Sequence, residues 1–183
     1  MGRWKKLVAE SSGAEIAEAA FVLPVVFFFV FGIIWFGRAF NIYSTINSAA
    51  HEGARTAARP TCATCDATGT WNGTGLPGDQ AVEDAVVSVL QASRVDKTRI
   101  SAYVPAHTFC AVPPPAPPGT CTASVNNITV CRFVRLNPPG TPEQCGTLVS
   151  FQYPFQFLLE YTPSALAQRQ VILSAEAEAR MQN

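Results

Sequence analysis

A run of about 19 residues without a charged side chain, Ala19–Gly37, constrains this chain more than any other feature. Its length is that of an apolar helix that crosses a bilayer. A secretory signal peptide has a shorter apolar core, and the small residues that suit cleavage follow that core. Here the small residues Ser11-Ser12-Gly13 precede the run. Cleavage there would leave the apolar helix on the mature protein, so we expect the N-terminal region to anchor the chain in a membrane.

One carboxylate, Glu18, stands at the front edge of the apolar run. A charge near the bilayer centre costs about 2.5–3.5 kcal/mol and less toward the interface, so carboxylates within membranes usually have a partner. If the chain is cut after Gly13, the new amino group of Ala14 lies about one helical turn from Glu18. The spacing leaves two interpretations open. Glu18 either meets a free N-terminus or simply marks the headgroup boundary of the helix.

Three segments around the apolar run carry motifs. They are Ala14–Pro24 (AEIAEAAFVLP), Ile33–Phe40 (IIWFGRAF) and Ala49–Ala58 (AAHEGARTAA). Together with the spacing of Gly13 and Glu18, which is the prepilin-peptidase pattern of type IV pilin-like proteins, these segments resemble the TadE/TadG-type pseudopilins of the tight-adherence (Tad/Flp) system. The end of the chain, 173–181, is similar to that family as well, whereas the middle, about 60–145, is not. Ala19 stands where the major Flp pilins have Tyr, which favours a minor pseudopilin.

The resemblance implies cleavage between Gly13 and Ala14 by a prepilin peptidase. It also implies that Glu18 meets the free N-terminus of its own or a neighbouring subunit during assembly. The implied fold is α+β and type IV pilin-like, with a long N-terminal helix followed by a small antiparallel-sheet domain. The implied partners are other pilins and pseudopilins, the Tad secretion machinery, the prepilin peptidase and inner-membrane lipid. The expected divisions are a leader at 1–13, a long helix at 14–59 with its membrane segment at about 19–37, and an extracytoplasmic domain at 60–183.

Charge gives the expected orientation and excludes one class of partner. Arg3, Lys5 and Lys6 precede the apolar run, against Arg38 close behind it, so the N-terminus is expected in the cytoplasm and the domain outside the bacterial inner membrane. The formal net charge is zero. A balanced chain does not indicate a nucleic-acid-binding surface.

All six cysteines follow the apolar run, which indicates a disulfide framework in an oxidising compartment. They are Cys62, Cys65, Cys110, Cys121, Cys131 and Cys145. Six cysteines allow fifteen pairings, so the sequence does not fix the connectivity. Closing short loops around the two proline-rich segments predicts the pairs Cys110–Cys121 and Cys131–Cys145, each worth about 3 kcal/mol. Cys62 and Cys65 would then form a short-loop pair.

The Cys62-Ala63-Thr64-Cys65 motif also fits a redox-active pair or half of a zinc site. A thioredoxin-like pair would follow a strand and start a helix, but this motif leads into residues of loop composition. A zinc site would need two more ligands, and there is no second C-x-x-C, while His51 and His107 are isolated in the sequence. We therefore predict a structural disulfide, with no metal and no cofactor.

Periodicity predicts the remaining elements. The apolar spacing continues beyond Arg38 as far as Arg59, so one helix should run from the membrane segment to Pro60. A second helix should cover Asp79–Ala92, with Asp79 as its N-cap. The final segment, 168–181, fits either a strand or a helix, and the resemblance favours a strand. Strands are further predicted at 99–104, 124–136 and 147–157, with the last two joined as a hairpin by the turn at 137–140.

No catalytic constellation stands out, so we expect a structural and assembly protein and not an enzyme. The function that fits best is a minor pseudopilin in the assembly or structure of a Tad/Flp-type pilus. One alternative is a signal-anchored extracytoplasmic protein whose domain binds a surface ligand. A weaker alternative is a membrane-tethered thiol oxidoreductase.

Overall fold

The N-terminal helix α1 extends over Gly2–Ala58. The computed structural model describes residues 2–59, 76–111, 119–138, 142–156 and 170–181, with side chains in α1 described at Gly13 and from Glu15 onward. Pro24 lies inside α1 without ending it. The predicted end of the helix before Pro60 is confirmed, because a proline ring cannot continue the helical hydrogen bonding.

Alanine and glycine form the buried face of the last turns of α1. Residues 41–58 belong to the second of two compact units, Asn41–Asn183, and the first unit is Met1–Phe40. Small side chains on this face allow other backbones to come close, so this part of the helix packs tightly in the core of the second unit. The buried residues of this face are Ile46, Ala49, Ala50, Gly53, Ala54, Ala57 and Ala58.

Helix α2, Asp79–Ala92, has the predicted bounds. Its apolar residues Val82, Val86 and Leu90 recur at helical spacing and are buried in the core. The predicted N-cap is wrong by one residue. Gly78 occupies the N-cap with an extended backbone, and Asp79 lies in the first turn, where a carboxylate suits the positive end of the helix dipole.

Four antiparallel strands follow, in the spatial order β1-β2-β3-β4. They are β1 Thr120–Ala123, β2 Thr129–Arg135, β3 Cys145–Gln156 and β4 Gln170–Arg180. The predicted hairpin between β2 and β3 is confirmed, and so is the terminal strand. Apolar residues of one sheet face pack in the same core as α1 and α2, among them Val130, Val149 and Phe151. The predicted α+β fold, a long apolar helix followed by a small antiparallel sheet, is confirmed.

The strand predicted at 99–104 is wrong. Lys97–Arg99 forms a single 3₁₀ turn, and only Ser101 pairs with the sheet, through two hydrogen bonds to Gln152. Beyond that point the Ser150 hydroxyl donates to the Tyr103 carbonyl at 2.6 Å, so a side chain satisfies the backbone here and no ladder forms.

The segment predicted as one broken strand, 124–136, is a turn followed by β2. Ser124 and Ile128 close the turn between β1 and β2 by a backbone hydrogen bond, and Asn127 has a positive φ of 58°. Strand β1 was missed because its residues are small, polar and mostly exposed.

A β-bulge at Phe133 shifts the register of β2. Arg132 pairs with Thr147 and Val134 with Gly146, so Phe133 is the extra residue, with a φ of 57°. Beyond the start of β1, residues 108–110 pair with the same edge of β2 through an isolated bridge between Phe109 and Val134. This pairing brings Cys110 beside the sheet, where its amide donates to the Phe133 carbonyl.

Candidate functional site

The predicted processing and assembly residues lie on one helix. Gly13 and Glu18 are both exposed on α1, and a Cβ atom added to Gly13 would meet none of the described residues within 4 Å. The peptide bond between Gly13 and Ala14 is inside the helix. Glu18 follows Ala14 by four residues, which is about 6 Å along the helix axis. The structure therefore puts Ala14 and Glu18 one turn apart, as the sequence predicts.

The apolar run behind Glu18 is exposed except at Gly32 and Trp35, which are half-buried. Phe21, Phe28 and Phe36 keep 84%, 77% and 82% of their surface accessible, which is unusual for phenylalanine in water. By length and composition, α1 is a candidate membrane span from Glu15 onward, because an 18-residue window within it has a mean hydropathy of 2.6. A bilayer is the solvent that suits such a surface, so this region fits a membrane-anchored protein.

The Ala49–Ala58 motif, in contrast, is a packing surface. Its polar members His51, Glu52 and Arg55 are exposed, whereas Gly53 is buried against α2 and β3. A Cβ atom at Gly53 would come within 2.5 Å of Val86 Cγ2 and 3.3 Å of Val149 Cγ1. Glycine is needed here because a side chain would collide with the neighbouring core residues. The motif thus joins the end of α1 to the core of the second unit.

The predicted disulfide pairing is wrong. Cys121 bonds to Cys131, ten residues on, and Cys110 bonds to Cys145, thirty-five residues on. Cys121 and Cys131 are directly opposite each other on β1 and β2, with Cα atoms 4.0 Å apart. The prediction closed the loops around the proline-rich segments, but strand pairing decides which cysteines meet. Cys62 and Cys65 lie outside the described residues.

A salt bridge accompanies the second disulfide. Glu143 lies beside Cys110 and Cys145, receives a hydrogen bond from the Ala111 amide at 3.1 Å, and pairs with Arg135 at 3.3 Å. These contacts tie the segment after β2 to the residues before β1. The Cys110–Cys145 disulfide and the Arg135–Glu143 salt bridge therefore stabilise the same part of the domain, beside the end of β2.

His107 is not isolated, contrary to the prediction. Its Nε2 atom is 3.1 Å from Cys121 Sγ, and its Nδ1 atom is 2.7 Å from the Pro105 carbonyl oxygen. The ring also meets Phe109 edge to face, with centroids 4.8 Å apart. The contact was missed because the sequence gives no sign that the irregular segment before β1 folds back beside Cys121.

Among the described residues, sulfur, nitrogen and carboxylate atoms meet in two clusters that could hold a metal ion. One contains His107, Cys121 and Cys131, and the other contains Cys110, Glu143 and Cys145. In each cluster the two sulfurs are joined in a disulfide. Zinc binds the deprotonated thiolate of cysteine, so neither cluster is a zinc site in this oxidation state.

Polar contacts dock the start of α2 on the β1–β2 hairpin. Arg132 Nη2 donates to Asp79 Oδ1 at 2.7 Å and to the Pro77 carbonyl at 2.6 Å, and the Thr122 hydroxyl donates to Asp79 Oδ2 at 2.6 Å. Partial burial raises the pKa of Asp79, but the hydrogen bonds from Thr122 and Arg132 and the charge of Arg132 outweigh it, so the pKa is lowered overall. One turn on, the buried Glu83 accepts a hydrogen bond from Asn126.

Comparison with known families bears on the helix. Residues 13–55 match the family described as TadE-like protein. This match includes Gly13, Glu18, the apolar run and the EGAR part of the packing motif, and it confirms the resemblance predicted from the sequence. No curated protein and no solved structure shows significant similarity to the chain.

Proposed function

We propose, from the premise that residues 13–55 of this chain are TadE-like, that it is a minor pseudopilin of a Tad/Flp-type pilus. The family is a pilus component, which suggests involvement in the Tad system. The finer role in assembly or structure of the filament is our proposal. The observation that carries it is the coincidence, within the matched residues, of an exposed apolar run with a carboxylate at its front edge.

Anchoring is the first step of the proposed function. The exposed run Ala19–Gly37 enters the inner membrane, and the buried alanine face of α1 belongs to the extracytoplasmic domain. One helix with an exposed apolar part and a separate buried part supports this division, because the two parts need different surroundings. The helix would then supply both the anchor and part of the domain core.

Processing is the second step. Cleavage by a prepilin peptidase between Gly13 and Ala14 would remove the leader and create an amino group one helical turn from Glu18. Open space around Gly13 supports this site, since no side chain in the described part of the chain lies within 4 Å of a Cβ atom placed there.

Assembly is the third step. A carboxylate at the edge of a bilayer gains from a positive partner, and the free amino group of Ala14, on the same or a neighbouring subunit, has the required charge. Partners in this step would be other pilins and pseudopilins together with the Tad machinery. Because Glu18 is exposed on the helix, a group on a second subunit could reach it.

The substitution Glu18→Gln tests the assembly role in the native host. It removes the negative charge and keeps the size, so we expect the protein to insert and to be cleaved normally but to be missing from sheared pili. The matched control is Glu15→Gln, an exposed glutamate one turn earlier, which should leave assembly unchanged.

Mass spectrometry of the N-terminus and immunoblots of the pilus fraction give the two readouts. A mature chain that begins at Ala14 in both variants, with only Glu18→Gln excluded from pili, agrees with the proposal. Normal pilus content in Glu18→Gln would remove the assembly role. An assembled wild-type chain that begins at Met1 would defeat the pseudopilin assignment itself.

A further inference from the structure

The contact between His107 and Cys121 has a fixed direction. The Pro105 carbonyl, 2.7 Å from Nδ1, can only accept a hydrogen bond, so the ring proton is assigned to Nδ1. In the neutral imidazole, Nε2 therefore turns its lone pair toward Cys121 Sγ, 3.1 Å away. A basic nitrogen held against a sulfur atom is the arrangement that activates a cysteine thiol.

We propose that Cys121, paired with His107, is the nucleophilic thiol of this domain and the point at which the domain exchanges disulfides with a thiol–disulfide oxidant. When the bond to Cys131 is absent, the Cys121 thiol donates its proton to Nε2. The products are a Cys121 thiolate and a His107 imidazolium, which attract each other by their opposite charges. The hydrogen bond from Nδ1 to the Pro105 carbonyl keeps the imidazolium ring in position. This proposal does not depend on the role of the protein in a pilus.

Exposure distinguishes the two sulfurs of the bond. Cys121 is half-buried at the edge of the sheet, whereas Cys131 is fully buried in the neighbouring strand. An external disulfide can reach only the first of them. Cys131 is then the resolving thiol, because it stands directly opposite Cys121 in the strand register.

Charged groups on the adjoining strands do not replace His107. Arg132 follows Cys131 but is bound to Asp79 on the opposite side of β2. Cys121, Cys131, Leu148 and Glu178 form one row across the four strands, so the Glu178 carboxylate is separated from Cys121 by two strands. The contacts of the described residues with His107 come from a carbonyl, an aromatic ring and the sulfur, none of them charged.

The Cys110–Cys145 disulfide has a carboxylate beside it instead of an imidazole. Cys110 and Cys145 lie beside the Glu143 carboxylate, and a negative neighbour disfavours a thiolate. Pairing of Glu143 with Arg135 neutralises that charge but supplies no base. Of the two described disulfides, Cys121–Cys131 is the one with an imidazole nitrogen against its sulfur.

The exchange balances in two steps. The Cys121 thiolate attacks one sulfur of an external disulfide RS–SR, forming Cys121–S–S–R and releasing RS⁻, which takes up a proton. The Cys131 thiolate then attacks Cys121 Sγ, forming the Cys121–Cys131 bond and releasing a second RS⁻. The domain loses two electrons and two protons, and the external disulfide becomes two thiols.

Cys131→Ser in the full detergent-solubilised chain exposes the proposed nucleophile, because it leaves Cys121 without its partner while Cys110–Cys145 remains. The rate of alkylation of Cys121 by iodoacetamide is measured from pH 5 to 10 by peptide mass spectrometry. We expect the midpoint of the rate profile at least one pH unit below about 8.5, the value of an unperturbed thiol. Adding His107→Gln should return the midpoint to about 8.5 and lower the rate at pH 6 about fivefold.

His51→Gln, which changes the exposed histidine of α1, is the matched control and should leave the profile unchanged. Cys131→Ala is a second background if serine is not tolerated at the buried position, and retention of the Cys110–Cys145 bond is checked in the same peptide map. Glutathione disulfide as the oxidant should give a mixed disulfide on Cys121 faster with His107 than without it at pH 6. An identical profile for Cys121 with and without His107, in a variant that keeps Cys110–Cys145, overturns the proposal.

Discussion

At the scale of single residues, the absence of a side chain at Gly53 determines how closely α1, α2 and β3 approach one another. Val86 on α2 and Val149 on β3 both lie within van der Waals reach of the position that a Cβ atom would take. Glycine in a helix interior costs about 1 kcal/mol relative to alanine. The sequence keeps it at this position because the packing around it leaves no room for a methyl group.

We therefore predict that Gly53→Ala destabilises the domain although alanine is the better helix former. Overpacking of a core costs about 1–3 kcal/mol, which exceeds the gain in helix propensity, so the free energy of unfolding should fall by about 1 kcal/mol. Denaturant unfolding of the full chain in detergent, followed by a domain-specific probe, measures the change. Glu52→Ala, an exposed neighbour on α1, should have an effect within about 0.5 kcal/mol.

A double-mutant cycle identifies the cause. In the background of Val86→Ala the methyl group that Gly53→Ala adds would have room, so this substitution should become neutral or stabilising there. The double mutant should therefore be about 1–2 kcal/mol more stable than the sum of the two separate effects predicts. If Gly53→Ala costs the same with and without Val86, the contact with α2 is not what makes glycine necessary.

Local spacing in the sequence singled out some residues and missed others. Gly13 and Glu18 could be singled out because their spacing is local and belongs to a known pattern, and the family match covers them. The packing role of Gly53 and the contact of His107 with Cys121 could not be predicted. Both depend on which distant segment arrives beside the residue, and local spacing carries no information about that.

At the scale of elements, α2 is held to the sheet by an apolar face and by an ionic contact at its first turn. Asp79 links the helix to Arg132 and Thr122 of the β1–β2 hairpin. Because these hydrogen bonds favour the ionised carboxylate, the pKa of Asp79 in the folded chain lies below its ordinary value. The contact is therefore strongest when Asp79 is charged.

The pH dependence of stability follows from the direction in which the pKa of Asp79 is shifted. A carboxylate with a lowered pKa stabilises the fold above its unfolded pKa of about 3.9 and loses that contribution as the pH falls through the folded value. Asp79→Asn should lower the free energy of unfolding by about 1 kcal/mol at pH 7. The difference from the wild type should stay constant down to about pH 5 and shrink below pH 4.

Chemical denaturation between pH 2.5 and 7 checks this expectation. Asp84→Asn is the matched control, since Asp84 is exposed on the same helix and bonded to Gln80 within it. It should not reproduce the loss seen with Asp79→Asn at neutral pH. A difference between Asp79→Asn and the wild type that grows as the pH falls would contradict the assigned direction.

Elements were predictable to the extent that local periodicity decides them. The bounds of α2 came out as predicted because Val82, Val86 and Leu90 follow the helical period and are all buried. Strand β1 has no such pattern, since it is short and mostly exposed and exists because β2 pairs with it. The disulfides were wrong for the same reason: pairing of β1 with β2 brings Cys121 to Cys131, and no loop length in the sequence reports that register.

At the scale of the whole molecule, the apolar helix and the disulfides are expected to depend on one event, insertion into the membrane. A domain exported across the inner membrane enters an oxidising space, whereas a domain kept in the cytoplasm stays reduced. The oxidation state of the cysteines is therefore a readout of orientation. It tests the expected cytoplasmic N-terminus without depending on any pilus phenotype.

We predict that blocking insertion leaves Cys110, Cys121, Cys131 and Cys145 as free thiols in the cell. Val26→Lys combined with Phe29→Lys places two charges in the middle of the run, at about 2.5–3.5 kcal/mol each on the insertion scale. Val26→Leu with Phe29→Leu changes the same positions and keeps the run apolar.

Acid quenching of cells followed by alkylation with a mass-tagged maleimide counts the thiols at each position. The wild type and the leucine variant should show these four positions protected until a reductant is added, whereas the lysine variant should react at all of them. Free thiols in a membrane-resident wild type would mean that the domain faces the cytoplasm. Since the substituted positions belong to the first compact unit and the four cysteines to the second, a change in oxidation state would be due to the compartment the domain reaches and not to a lost contact within the domain.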